Sequence, residues 1–177
     1  IGAEWQGLTG ASSEWVGVQR IRIESGKWST PLHLEGSEEE IFYVLSGSGV
    51  SVQWDGSSEA AYAVGEGDCI VNLAIEHEHT LRAGPDGLEV LAFGERHYAA
   101  NTLLPRAGVS WLGPTWVLEG APDDHPWKRE AAAGAPEAGE LSERPARIVN
   151  VGDVERLSRE GATVARTVRD LGRAADI

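Results

Sequence analysis

Methionine is absent from this sequence of 177 residues, and cysteine occurs once, as Cys69. A lone thiol excludes an internal disulfide, which fits a reducing compartment. The chain opens on Ile1 rather than on Met, so the expectation is a processed, trimmed or partial form. No apolar run approaches the roughly 20 residues that a helix needs to cross a bilayer. No basic-then-apolar leader opens the chain either. The expected location is therefore the cytoplasm. Positive charge is scarce too: 15 Lys and Arg stand against 28 Asp and Glu, a formal net charge of −13. Such a balance repels phosphate backbones and anionic lipid, so neither nucleic acid nor a membrane is an expected partner.

What is present is a series of short β-forming runs punctuated by Gly and Pro. "VGVQRIRIE" (16–24) sets Val18, Arg20 and Arg22 against Ile21 and Ile23, the period of a half-buried strand. "EIFYVLSG" and "GVSVQW" are divided by Gly47-Ser48-Gly49, which reads as a hairpin. "AYAV", "CIVNLAI", "HTLRA" and "LEVLAFG" follow, with turns at Gly65-Glu66-Gly67-Asp68 and Gly84-Pro85-Asp86-Gly87. Strands at this spacing, with no long helical pattern between them, predict an all-β sandwich or barrel. Its inward positions are expected at Phe42, Val44, Trp54, Tyr62 and Ile70, forming a small dry pocket.

Beyond residue 97 the composition turns to Pro, Gly, Ala and Glu with scattered Trp. The expected division is a barrel with a lead-in strand over 1–97 and an extended arm and tail over 98–177. Trp111, Trp116 and Trp127 are too apolar for open water and are expected to pin the arm to the barrel or to a second copy. From Thr163, Val164, Val168 and Leu171 fall at the spacing of a weak, short helix.

The chemistry-bearing residues lie in two segments. In "STPLHLEGSEEEIFYVLSGSG" (29–49), His33 and Glu35 share a strand face, and Glu40 heads the row that continues through Phe42 and Val44. A barrel-facing Glu40 needs a partner to be tolerable there. In "NLAIEHEHTLRA", His77 and His79 share a face, with Glu76 and Glu78 on the other. Imidazoles and carboxylates together suit Zn, Fe, Mn or Ni. The plain alternative makes Glu38-Glu39-Glu40 a solvated acidic turn and the protein a scaffold. Cys69, mid-strand and without an activating base, reads as a small core residue. His97 and His125 stand isolated and read as surface or arm-packing residues.

Residues 26–47 resemble the first signature of the cupin superfamily: Gly26, His33, Glu35 where a second His would stand, Glu40, and Gly47 after "IFYVLS". Residues 67–82, "GDCIVNLAIEHEHTLR", resemble its second signature through Gly67, Asp68 and His79. Two departures stand out, Glu35 in place of His and the missing Pro and Gly of the second turn. The resemblance implies a double-stranded β-helix, or jelly-roll barrel, with a metal at its centre. It also implies the ligand set His33, Glu35, Glu40 and His79, of which His79 fits the motif better than His77. The metal expected is divalent: Mn, Fe or Zn, with Ni as a further option. Glu40, or else Glu35, would shift protons beside it. Dioxygenase, decarboxylase and sugar-phosphate isomerase chemistries all occur on this fold, and the fold does not choose among them. The rival expectation is a metal-free small-molecule sensor or storage module. The resemblance further implies a homodimer, or the N-terminal half of a two-barrel protein.

Overall fold

The computed structural model of the chain describes residues 1–97, 99–112, 115–117, 126–154, 156–157 and 165–166. Strand β1 (Ala3–Gly7) folds back antiparallel on β2 (Val16–Ile23), where Ile21 and Ile23 are buried and Arg22 is exposed, as the alternation predicts. After the short β3 (Leu34–Glu35) come β4 (Glu40–Trp54), β5 (Glu59–Gly65), β6 (Asp68–Asn72) and β7 (Glu78–Glu95). Strands β8 (Asn101–Leu104), β9 (Val109–Leu112) and β10 (Thr115–Val117) follow, then helix α1 (Pro126–Ala132) and β11 (Ile148–Asn150). A larger antiparallel sheet runs β1-β2-β7-β4-β6-β11, with β5 paired to β4, and a smaller one runs β10-β9-β8-β3. The result is an all-β jelly-roll barrel.

The hairpin expected at Gly47-Ser48-Gly49 is not there. Strand β4 continues straight through these residues and pairs with β7 on both sides of them, with register shifts at Val44/Ser46 and Gly47/Gly49. Residues 84–87 of β7 loop out opposite Ser48, since Leu88 faces Gly47 while Ala83 faces Gly49. The glycines act as bulges that bend two long strands between faces of the barrel. Gly47 has φ +84°, and a Cβ there would overlap the Gly87 carbonyl oxygen; one on Gly49 would overlap that of Arg82. The hairpin that does form joins β4 to β5 through Asp55–Ser58. There the Asp55 carboxylate accepts the Ser57 and Ser58 amides at 2.8 and 2.9 Å.

The core gathers Ile21, Phe42, Val44, Ile70, Leu81 and Val90, with Ile148 among them. Each such side chain contributes about 1.5–3 kcal/mol on leaving water. Ile148 belongs to the stretch expected as an arm, yet β11 pairs with β6 and is part of this core. Strands β8, β9 and β10 likewise come from beyond residue 97 and make up most of the smaller sheet. These runs carry no alternation signal because each is only three or four residues long.

Asp68, only 3% exposed, holds this return segment. Its carboxylate accepts the Gly65 amide at 2.8 Å, Arg144 at 2.8 Å and the Asn150 side-chain amide at 2.9 Å. Asp68→Ala leaves these donors unmatched and is expected to lose about 2–3 kcal/mol in chemical denaturation. The loss should be accompanied by faster proteolysis around residues 144–150. Unchanged stability and cleavage would remove Asp68 from this role.

The helix expected from Thr163 is not found where it can be examined. Ala165–Arg166 pairs as a short strand with Arg156–Leu157. Val164, Val168 and Leu171 lie outside the described residues, as do Asp123, Asp124 and His125. The one α-helix among the described residues is α1, and no helix among them is long and apolar enough to cross a membrane.

Candidate metal centre

His33 and His79 face each other across an isolated antiparallel bridge. The His79 amide donates to the His33 carbonyl at 2.8 Å, and the His33 amide returns the bond at 3.3 Å. That pairing sets the two imidazoles side by side, with centroids 4.6 Å apart. Glu40 arrives from β4 on the same face as the buried Phe42 and Val44, as its parity predicts. Its Oε2 lies 2.8 Å from His79 Nε2 and 3.8 Å from His33 Nε2. One donor atom from each of His33, Glu40 and His79 falls within 4.8 Å of the others, and both imidazoles are buried.

The backbone fixes which nitrogen faces the site. His33 Nδ1 lies 2.9 Å from the Pro31 carbonyl, and His79 Nδ1 lies 3.5 Å from that of His77. A carbonyl only accepts, so Nδ1 of His33 carries a proton and, in the neutral ring, Nε2 turns its lone pair toward Glu40. Metal-binding histidines are oriented by the same kind of outer bond.

Glu35 joins from β3, its Oε1 3.4 Å from His33 Nε2. Thr102 of β8 donates to it, at 3.0 Å to Oε2 and 3.2 Å to Oε1. All four residues expected as ligands therefore converge, with Glu35 one step outside the trio. His77 does not join. It lies 3.2 Å from Asn72 Oδ1, and its ring sits edge-on to His79, centroids 6.1 Å apart. Burial, then the neighbouring His79 charge, holds His77 down at about 4.

Two carboxylates meet the buried imidazoles, and their charge acts on His33. Burial opposes charge on His33, but the Glu35 hydrogen bond and the charges of Glu40 and Glu35 outweigh it and raise the group to about 9. The same contacts overcome burial to lower Glu35. A histidine raised in the folded state from 6.5 to about 9 adds stability that is complete below 6.5 and lost as pH climbs through 9. The melting temperature of metal-free protein is therefore expected to fall between those pH values, and His33→Gln should flatten the fall. An equal fall in both proteins would overturn this electrostatic account.

The cluster opens into a cavity of about 630 Å³. None of the five side chains expected to line a dry pocket is in its wall: Phe42, Val44 and Ile70 are packed in the core, and Trp54 and Tyr62 face other recesses. The wall is instead acidic and aromatic, with Glu38, Glu95, Trp5, Trp111 and Trp127. Burial, followed by the Glu35 charge, pushes Glu38 up to about 7. His97, expected as an isolated residue, stands in this wall 3.3 Å from Glu95. Trp127 packs against Trp5 at 6.2 Å between centroids, fastening α1 to the barrel; the side chain of Trp116 lies outside the described set. Cys69 is partly buried, and burial raises its thiol, in keeping with a structural role. Thr102, Trp111 and Trp127 reach the site only through the smaller sheet and α1, and Trp5 through β1, so none of them stood beside the site motifs in the sequence.

No protein-family model matches the sequence, and no curated protein matches it. Solved structures do. A putative sugar phosphate isomerase from Acidithiobacillus ferrooxidans superposes with a TM-score of 0.56 at 23% identity, over 89% of this chain and 81% of its own. A sugar phosphate isomerase of the cupin superfamily from Silicibacter pomeroyi gives 0.51 at 23% identity, over 57% of this chain and 64% of its own. At that identity the likeness concerns the fold. Barrel topology, the two signatures and these superpositions agree: the chain has the double-stranded β-helix fold of the cupin superfamily.

Proposed function

We propose that the protein holds one divalent metal ion inside the barrel through His33, Glu40 and His79, and binds or transforms a small organic molecule beside it. The observation that carries this reading is the meeting of two oriented, buried imidazoles with one carboxylate, their donor atoms within 4.8 Å of one another. Two nitrogens and a carboxylate oxygen suit Mn, Fe or Zn and leave coordination positions for a ligand. A bound ion would supply Lewis acidity toward an oxygen of that ligand.

The chain's own residues divide the remaining work. Pro31 and His77 orient the imidazoles through their carbonyls. Glu40 is committed to the donor set by its contact with His79, so moving protons falls to Glu35, which faces the same cavity and is held by Thr102.

The test is metal content after purification without chelator or nickel resin. Near-stoichiometric Mn, Fe or Zn is expected in the parent protein. A chain that takes up none of these ions on dialysis would overturn the reading and leave a metal-free binding module.

A further inference from the structure

The cavity above the cluster has a composition that selects among ligands. Its wall contains the carboxylates of Glu35, Glu38, Glu40 and Glu95, and no lysine. Among the described residues its one guanidinium is Arg96, which is engaged elsewhere: Nη1 donates to the Ser13 carbonyl at 2.9 Å, and Nη2 donates to the Gly10 carbonyl at 2.6 Å and Thr9 Oγ1 at 3.2 Å. These bonds brace the connection between β1 and β2. The His97 imidazole is paired with Glu95. Among the described residues, this wall therefore offers a phosphate or a carboxylate no cationic side chain that is not already engaged.

We infer that the cavity takes an uncharged polyhydroxylated molecule, a sugar or polyol bearing no phosphate or carboxylate group. This inference rests on the metal reading. A divalent ion is already balanced by Glu35 and Glu40, so it keeps no excess charge for an anion; Glu95 adds repulsion, and Glu38 does so to the extent that it is ionised. An ammonium group has no lone pair and so cannot take an open position on the ion. Hydroxyl groups face neither penalty. They donate to carboxylates, which only accept, and adjacent hydroxyls can occupy the open positions on the ion. The carbon-bound face of a sugar ring is apolar, and Trp5, Trp111 and Trp127 line the cavity with matching surface.

The experiment begins with full-length protein loaded with Mn²⁺ and its metal content measured. Calorimetric titrations then compare neutral pentoses, hexoses and their polyols with the matching sugar phosphates, aldonates and amino sugars. For whichever carbon skeleton binds, the neutral member is expected to bind about tenfold or more tightly than its charged counterparts. Glu38→Gln combined with Glu95→Gln should narrow the gap to the phosphate, while Trp111→Ala should weaken the neutral ligand at unchanged metal content. Trp111→Phe should restore part of that loss, separating ring contact from misfolding. Fully loaded protein that prefers the phosphate, the aldonate or the amine, or that binds no member of the panel, overturns the inference and leaves the metal reading standing. Protein that takes up no metal overturns both.

Discussion

His79→Ala is expected to lower affinity for the bound metal by about 100-fold or more, with His33→Ala close behind. Removing groups that merely orient a ligand already costs on the order of 10–100-fold, and here a donor itself is lost. The His79 ring is the better choice for this test because it is 2% exposed and touches Glu40 directly at 2.8 Å. The control is His77→Ala. His77 sits on the same strand face by simple parity, yet its ring points to Asn72 and lies outside the trio. Metal analysis and competition with a chromogenic chelator should show the His77 variant binding like the parent. If the His77 variant lost the metal while the His79 variant kept it, the proposed centre would be wrong.

Gly47→Ala is expected to cost about 3 kcal/mol or more in urea denaturation. Two penalties coincide there. The backbone stands at φ +84°, where a Cβ is strained, and that Cβ would run into the Gly87 carbonyl oxygen. The Gly87 carbonyl is main chain next to the paired Leu88 and cannot step aside as a flexible side chain can, so β4 and β7 would have to separate at the bulge. Gly56→Ala isolates the first penalty. Its φ is +94°, but nothing lies within 4 Å of a Cβ built there, so it should cost only about 1 kcal/mol. Equal losses in the two variants would show that the close approach at Gly47 does not matter.

These sites also show how far the sequence could be read. The role of Gly47 as a glycine was visible, but its use was not. A Gly-Ser-Gly triplet between two β-runs is compatible with a turn or with a bulge, and β7 pairing on both sides of it selected the bulge. The donors were legible one by one, since His33 and Glu35, Glu40 and Phe42, and His77 and His79 each obey strand parity. Parity could not separate His77 from His79. The Asn72 contact and the His33–His79 bridge did that. Glu38 looked like part of a solvated run, yet it stands in the cavity wall beside Glu35 and Glu40, where burial raises it.

The sequence by itself determined that this protein is built of strands, which of their faces are apolar, and which side chains have the chemistry to hold a cation. Those properties depend on alternation within a few neighbouring residues, and such patterns are local. Only the tertiary structure decided that residues 33 and 79 would lie side by side, that a threonine from beyond residue 97 would hold Glu35, and that the cavity would be acidic and aromatic rather than dry. Contacts between distant segments depend on register and on the path of β4 and β7 through their bulges, and no short stretch of sequence encodes either.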